Sequence, residues 1–126
     1  MALATDLTAN THVYAGDNFN RVLRSVNNGV NWASVSTPGS GIGSVHTIAI
    51  DERSCAVPPV SGICTTGPLQ TIYVGGNNSP NAIFGSTAFA IYKSTNAGTT
   101  FAAASTGINR PSSSTLTLRV TDIAID

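Results

Sequence analysis

The sequence repeats itself, and this internal repeat restricts the possible fold more than any other feature of the chain. Three short segments end in an aspartate, at residues 2–6, 48–51 and 123–126. The first two are each followed by a segment that ends in Tyr-x-Gly, at residues 12–16 and 71–75. Residues 22–25 and 91–94 come next, and each leads through a turn to an aromatic residue, Trp32 or Phe101.

The spacing of the repeat indicates a structural unit. Asp6 and Asp51 are 45 residues apart, whereas Asp51 and Asp126 are 75 residues apart. The segment that contains the turn nevertheless has one length, because residues 23 and 32 and residues 92 and 101 are both nine positions apart. The difference in length therefore falls in the connections, which is where structural repeats tolerate insertions.

Each unit is predicted to form four short strands. In the second unit these are residues 47–50, 71–74, 89–93 and 100–103, which are rich in Ile, Val, Thr and Tyr and are bounded by Gly, Asn, Pro and Ser. No segment has the periodicity of an amphipathic helix. A unit of about 45 residues with four strands is typical of a propeller blade.

The turn of each unit carries a motif that resembles a known family. The pattern Ser-x-Asp-x-Gly-x-x-Trp is the Asp-box, or BNR, motif of sialidase-like propellers, and both units match it with Asn in place of Asp. The matching residues are Ser25, Asn27, Gly29, Trp32, Ser94, Asn96, Gly98 and Phe101. The resemblance implies that these residues form a fold element that is usually remote from the active site. The alternative is that their polar side chains bind a ligand or a metal.

The chemistry of the motif agrees with a structural turn. Ser and Asn side chains hydrogen-bond nearby backbone groups, and Gly29 and Gly98 suit backbone with a positive φ. We expect Trp32 and Phe101 to return to the sheet and bury their rings between adjoining blades.

The predicted fold class is all-β, with propeller blades that are four-stranded antiparallel sheets in an incomplete ring. Residues 1–45 are predicted to form a first blade, residues 46–120 a second blade with long loop insertions, and residues 121–126 the first strand of a third blade. Two blades leave apolar faces without a neighbour. The expected partners are therefore the remaining blades of a longer parent chain or further copies of this chain.

The two cysteines, Cys55 and Cys64, lie nine positions apart in a segment rich in Pro, Gly and Ser. A zinc site would need further ligands nearby, and the spacing does not match a Cys-x-x-Cys redox motif. We predict a local disulfide, and two free thiols are the alternative. A disulfide implies an oxidising compartment, so the protein is expected to be extracellular, secreted or periplasmic. The N-terminus lacks the pattern of a signal peptide, and any export signal is expected upstream.

Charge excludes several classes of partner. Six basic and six acidic residues give a formal net charge of zero. Since no basic cluster is present, neither nucleic acid nor an anionic membrane surface is an expected partner. No apolar run is long enough to insert into a membrane.

The sequence predicts no catalytic residues, no cofactor and no metal site. None of the arginines stands in the context of the sialidase arginine triad, and Asp6, Asp51 and Asp126 recur at a position that suggests a strand-end turn. The leading hypothesis is a secreted propeller segment that acts as a non-catalytic recognition or scaffolding module, with a glycan or a protein as ligand. One alternative is a fragment of a glycoside hydrolase or sialidase whose catalytic residues lie in absent blades. A structural subunit of an extracellular assembly is the other.

Overall fold

The described part of the chain consists of strands and their connections. The computed structural model describes residues 1–6, 8, 11–36, 38, 42–55, 64, 68–78, 91–108 and 119–126. Among these residues there is no helix, and thus none that could span a membrane. Most of the long insertions of the predicted second blade lie outside the described residues.

The strands form two antiparallel sheets of four, each with its strands adjacent in chain order. The first blade contains β1 (Ala2–Thr5), β2 (Val13–Gly16), β3 (Val22–Ser25) and β4 (Ala33–Ser36). The second blade contains β5 (Ile42–Ile50), β6 (Ile72–Asn78), β7 (Ile91–Ser94) and β8 (Ala102–Ala103). The predicted fold class, four-stranded propeller blades in an open ring, is confirmed.

The two blades share one register. A single row of paired residues crosses the four strands at equivalent positions of both sheets. The row consists of Ala4, Tyr14, Arg24 and Ala33 in the first blade and of Ala49, Tyr73, Lys93 and Ala102 in the second. Residues at equivalent positions of the two blades can therefore be compared directly.

The core lies between the two sheets, where β5 packs against β1 and β2. Its members are fully or almost fully buried, and they are Ala2, Tyr14, Val22, Ile42, Val45, Ile48, Ile72, Val74 and Tyr92. Burial of a large aliphatic side chain is worth about 1.5–3 kcal/mol. Val45 also donates its backbone N–H to the Asp17 carbonyl at 2.9 Å, which joins the start of β5 to the end of β2.

A glycine permits the close approach of the two blades. A Cβ atom at Gly16 would lie 2.6 Å from Val45 Cβ, which is closer than real carbon atoms pack. The same relation recurs in the second blade, where a Cβ atom at Gly75 would lie 2.7 Å from Val120 Cγ1. Val120 also donates its N–H to the Gly76 carbonyl at 2.9 Å, as Val45 does to Asp17.

Some strand limits differ from the prediction. β5 begins at Ile42 rather than residue 47, because two irregularities, between Ile42 and Ser44 and between Val45 and Thr47, let it follow β6 beyond the regular ladder. Residues 89–90 of the predicted third strand lie outside the described residues. Within the described residues, 121–126 pair with no strand. Arg119, which precedes them, forms an isolated β-bridge with Asn77. Their assignment to a third blade stays a prediction.

The expected burial of Trp32 is wrong. Its side chain is 41% exposed, whereas Phe101 is half-buried against the core. The two residues are equivalent in the repeat, but Phe101 borders the interface between the blades and Trp32 does not. The Trp32 indole N–H donates to the Gly29 carbonyl at 2.9 Å, so the ring folds over its own turn.

Candidate functional site

The Ser-x-Asn-x-Gly turn has the same hydrogen bonds in both blades. Ser25 Oγ accepts the Gly29 N–H at 2.8 Å and donates to Asn27 Oδ1 at 3.0 Å. In the second blade, Ser94 Oγ accepts the Gly98 N–H at 2.9 Å and donates to Asn96 Oδ1 at 3.0 Å. Since Ser25 and Ser94 are both buried, their hydroxyls serve the turn.

The asparagine of each turn holds the chain that returns to the sheet. Asn27 Oδ1 accepts the Asn31 N–H at 2.8 Å, and Asn96 Oδ1 accepts the Thr100 N–H at 2.9 Å. An amide oxygen is thus a sufficient acceptor where the family pattern has a carboxylate.

Two consecutive residues of each turn have a positive φ. Gly29 and Gly98 have φ values of 83° and 81°, and the residues before them, Asn28 and Ala97, have values of 57° and 53°. Glycine adopts this conformation without steric cost and asparagine tolerates it, whereas alanine is uncommon there. The small Ala97 is explained by its location, because it is buried between the blades.

The turn of the second blade docks on the first blade at a surface that we call the seam. The Ala97 carbonyl faces Tyr14 Oη at 3.5 Å and Arg24 Nη1 at 3.4 Å, and Ala97 donates its N–H to the Gln70 carbonyl at 2.9 Å. The Tyr14 and Arg24 distances are long for hydrogen bonds, so apolar packing around Gly98 contributes much of the contact. A Cβ atom at Gly98 would lie 3.5 Å from the Tyr14 ring.

Tyr14 is completely buried at the seam. Burial raises the pKa of its hydroxyl, while the hydrogen bond and the positive charge of Arg24 act against this shift. The phenol is therefore neutral at physiological pH, and its O–H can donate a hydrogen bond to the Ala97 carbonyl.

The strand-end aspartates hold the connections that follow them. Asp6 Oδ1 accepts the Thr8 N–H at 2.9 Å, and Asp51 Oδ1 accepts the Arg53 N–H at 2.9 Å. Asp6 has a further role, because its Oδ2 accepts the N–H of Leu69 from the second blade at 2.8 Å. These bonds agree with the strand-end turn role that the repeat suggests.

A pocket of about 410 Å³ lies between β5 and the C-terminal segment. It is lined by residues 48–53 together with Ile123, Ile125 and Asp126, so Asp51 and Asp126 share one concave surface. Its lining combines apolar side chains of β5 and the C-terminal segment with carboxylates and the Arg53 side chain. Such a surface can bind polar groups, and it includes Asp51, the repeat equivalent of Asp6.

A separate cluster, which we call the Phe19 platform, consists of Asp17, Phe19 and Arg21 on the β2–β3 connection. Asp17 accepts the Phe19 N–H at 2.8 Å and pairs with Arg21 Nε at 2.6 Å. The Arg21 guanidinium lies 5.5 Å from the centre of the Phe19 ring, which is 76% exposed. Burial acts to raise the pKa of Asp17, but its hydrogen bonds and the Arg21 charge outweigh this and lower it.

The platform lies at the end of the blade opposite the Ser-x-Asn-x-Gly turn, because antiparallel strands place alternate connections at opposite ends. Sequence analysis missed it. The available signal was one aromatic residue in an otherwise polar connection, Asp17-Asn-Phe-Asn-Arg21.

His46 lies close to Asn77 and Arg119. Burial lowers the pKa of His46, the positive charges of Arg119 and the N-terminus lower it further, and a hydrogen bond with Asn77 opposes them. No group of three or more metal-ligating side chains occurs in the described part of the chain. Cys55 and Cys64 form a disulfide that closes the start of the β5–β6 connection.

No protein-family model matches the chain, and no curated protein matches it significantly. Solved structures with a similar fold include two GH74 enzymes. The GH74 xyloglucanase of Xanthomonas campestris is 23% identical with a TM-score of 0.58, and the match covers 80% of this chain and 14% of that enzyme. A GH74 enzyme of Niastella koreensis is 31% identical with a TM-score of 0.54, and the match covers 80% of this chain and 13% of that enzyme. The chain is thus similar to a short part of two glycoside hydrolases.

Proposed function

We propose that the chain is a segment of an exported Asp-box propeller that recognises carbohydrate without cleaving it. The Asp-box assignment is supported by two turns with the same hydrogen bonds, the same positive-φ pair and the same strand context. We also assign residues 1–45 and 46–120 to successive blades and residues 121–126 to a third.

The observation that carries the recognition role is the Phe19 platform. An exposed aromatic ring offers an apolar face on which a sugar ring can stack, and the ionised Asp17 and the Arg21 guanidinium supply polar partners for hydroxyl groups beside it. The likeness to a xyloglucanase makes a β-glucan such as xyloglucan the first ligand to test.

Export is supported by the disulfide between Cys55 and Cys64. Structural disulfides persist in oxidising compartments, and glycoside-hydrolase-like neighbours fit a location where polysaccharides are found. We therefore propose a location outside the cytoplasm, in the periplasm or the extracellular space.

Affinity electrophoresis in gels that contain xyloglucan tests this proposal. The chain is expected to be retarded, and Phe19→Ala should abolish the retardation. Trp32→Ala is the matched control, because Trp32 is the other exposed aromatic side chain of the first blade but lies at the turn end. Equal loss in both variants, or no retardation of the native chain, contradicts a platform at Phe19.

The alternative is that the segment contributes to a hydrolase active site, and the similarity to glycoside hydrolases is the observation in its favour. Glycosidases use two carboxyl groups on either side of the scissile bond, and Asp51 and Asp126 share the pocket beside β5. Release of reducing ends from xyloglucan by the chain, lost in Asp51→Asn, would support this alternative over recognition alone.

A further inference from the structure

The end of the β5–β6 connection contacts both blades, and we call its residues 68–71 the strap. Leu69 is almost fully buried and donates its N–H to Asp6 Oδ2 of the first blade at 2.8 Å. The Gln70 carbonyl accepts the N–H of Ala97, in the turn that docks at the seam, at 2.9 Å. The strap therefore holds the strand end of the first blade and the seam turn of the second at the same time.

The strap is bonded to the residue beside the disulfide. Ser54 Oγ accepts the Thr71 N–H at 2.8 Å, and the Ser54 carbonyl accepts the Gln70 N–H at 2.7 Å. The next residue, Cys55, is joined to Cys64 by the disulfide. A continuous path of bonds thus leads from the disulfide through Ser54 and the strap to the seam.

The first blade has an equivalent bond without a cross-link. Asn28 donates its N–H to the Thr11 carbonyl at 3.0 Å, as Ala97 does to that of Gln70. The connection of the first blade, from residue 6 to residue 13, spans 7 positions and has no cysteine, whereas that of the second, from residue 51 to residue 72, spans 21. A longer connection loses more conformational entropy when it is ordered, and a cross-link lowers this loss. The disulfide therefore compensates for the insertion that carries the strap.

We propose that the Cys55–Cys64 disulfide is a redox-sensitive switch at the seam. While the disulfide is intact, the strap holds the two blades together; reduction releases the strap and opens the seam, and both sheets stay folded. The sheets are retained because the bonds of the strap lie outside the strand ladder, which ends at the pair Ile50 and Ile72. The proposal goes beyond carbohydrate recognition, because it concerns the contact between the blades and not the Phe19 platform.

The reductant of this switch is a dithiol. Cys55 is half-buried and Cys64 is buried, so attack is expected on the Cys55 sulfur. A thiolate of the reductant forms a mixed disulfide with Cys55 and displaces the Cys64 thiolate, and the second thiol of the reductant then releases Cys55. The two cysteines gain two electrons and two protons, and the dithiol leaves as a disulfide.

Amide hydrogen exchange of the 126-residue chain, measured by NMR with and without dithiothreitol, tests the proposal. Reduction should accelerate exchange of the Leu69 and Ala97 amides at least about tenfold more than that of Val74, which is paired on both sides at the centre of its sheet. The Asn28 amide is the internal control, because its equivalent bond lies in the connection without a disulfide. Its exchange should accelerate no more than that of Val74.

Two variants test the path from the disulfide to the seam. Ser54→Ala should accelerate exchange at Leu69 and Ala97 in the oxidised chain, whereas the control Ser34→Ala, at an exposed position of β4, should not. The Cys55→Ser/Cys64→Ser variant should show the fast rates without reductant and no response to it.

Three results would overturn the proposal. Equal acceleration of all amides would mean that the disulfide stabilises the whole chain and not the seam. Acceleration at Cys55 and Cys64 without any at Leu69 and Ala97 would confine its effect to the loop. Loss of the β-sheet signal in the circular dichroism of the reduced native chain would show that the sheets do not stay folded.

Discussion

The packing of Gly16 against Val45 makes a sharp prediction about the seam. Gly16 lies in regular β2, and a Cβ atom there would stand 2.6 Å from Val45 Cβ. Gly16→Ala should therefore force the blades apart, at a cost of about 1–3 kcal/mol, which is the usual range for overpacking a core. A partial offset of about 0.4–1 kcal/mol comes from the lower entropy of the unfolded chain.

Removing the opposing side chain should abolish or reverse the destabilisation caused by Gly16→Ala. Val45→Gly leaves space where the alanine methyl group would lie, and a buried methyl group contributes about 0.8 kcal/mol. In the Val45→Gly background, Gly16→Ala is expected to be neutral or to stabilise the protein. Val45→Ala keeps its Cβ atom and should relieve only part of the strain.

The measurement is a double-mutant cycle from urea unfolding followed by far-ultraviolet circular dichroism. Contacting residues usually couple by about 0.5–3 kcal/mol, whereas distant pairs add. Val26→Gly is the control partner, because Val26 is 54% exposed on the turn of the first blade. If Gly16→Ala has the same cost in the native, Val45→Gly and Val26→Gly backgrounds, then the two blades do not meet at these residues.

Three further expectations follow from the described contacts. Ser94→Ala should lower stability by about 1–3 kcal/mol, because it leaves the buried Gly98 N–H without its acceptor. Ser25→Ala should cost less, since Gly29 is partly exposed. Thermal denaturation of the two variants compares the two costs. The pKa of His46 is lowered in the fold. The contribution of His46 to stability is therefore complete above its unfolded-state pKa of about 6.5 and falls as the pH drops below that value. His46→Gln should flatten the Tm–pH profile in this acidic range. Reduction of the Cys55–Cys64 disulfide should cost about 2–3 kcal/mol for a loop of this size, and a Cys55→Ser/Cys64→Ser variant should lose its response to dithiothreitol.

The sequence was most informative where structure depends on local residues. The described strands of the second blade overlap the four segments that its β-branched and aromatic residues predict, although β5 begins earlier, at Ile42, and β6 continues to Asn78. The positive φ at Gly29 and Gly98 follows from residue type. The Cys55–Cys64 disulfide was also predictable, because the chain has only two cysteines and their context fits neither a zinc site nor a redox motif.

Features that depend on non-local contacts were not predictable in this way. The exposure of Trp32 depends on which face of its blade has a neighbour, and nothing in the turn sequence encodes this. The bond from Leu69 to Asp6 joins residues 63 positions apart, and Leu69 lies in a connection with no strand pattern. The early start of β5 depends on irregular pairing with β6 that periodicity does not reveal.

The Phe19 platform shows a different limit. Its three members lie within five residues, yet Phe19 could equally have been expected to turn inward to the core. The Asp17–Arg21 pair fixes the connection so that the ring projects outward with the guanidinium against it. The candidate binding residues therefore emerged only from the geometry of the connection.

In the stacked blades, the turn of the second blade rests on Tyr14 of the first, a contact between residues more than 80 positions apart. Nuclear Overhauser effects from the ring protons of Tyr14 measure it directly in solution. We expect cross-peaks from the Tyr14 ε protons to the α protons of Gly98, since a Cβ atom at Gly98 would lie 3.5 Å from Tyr14 Cε1. A Tyr14 ring that shows cross-peaks only to residues of its own sheet would contradict the stacked blades.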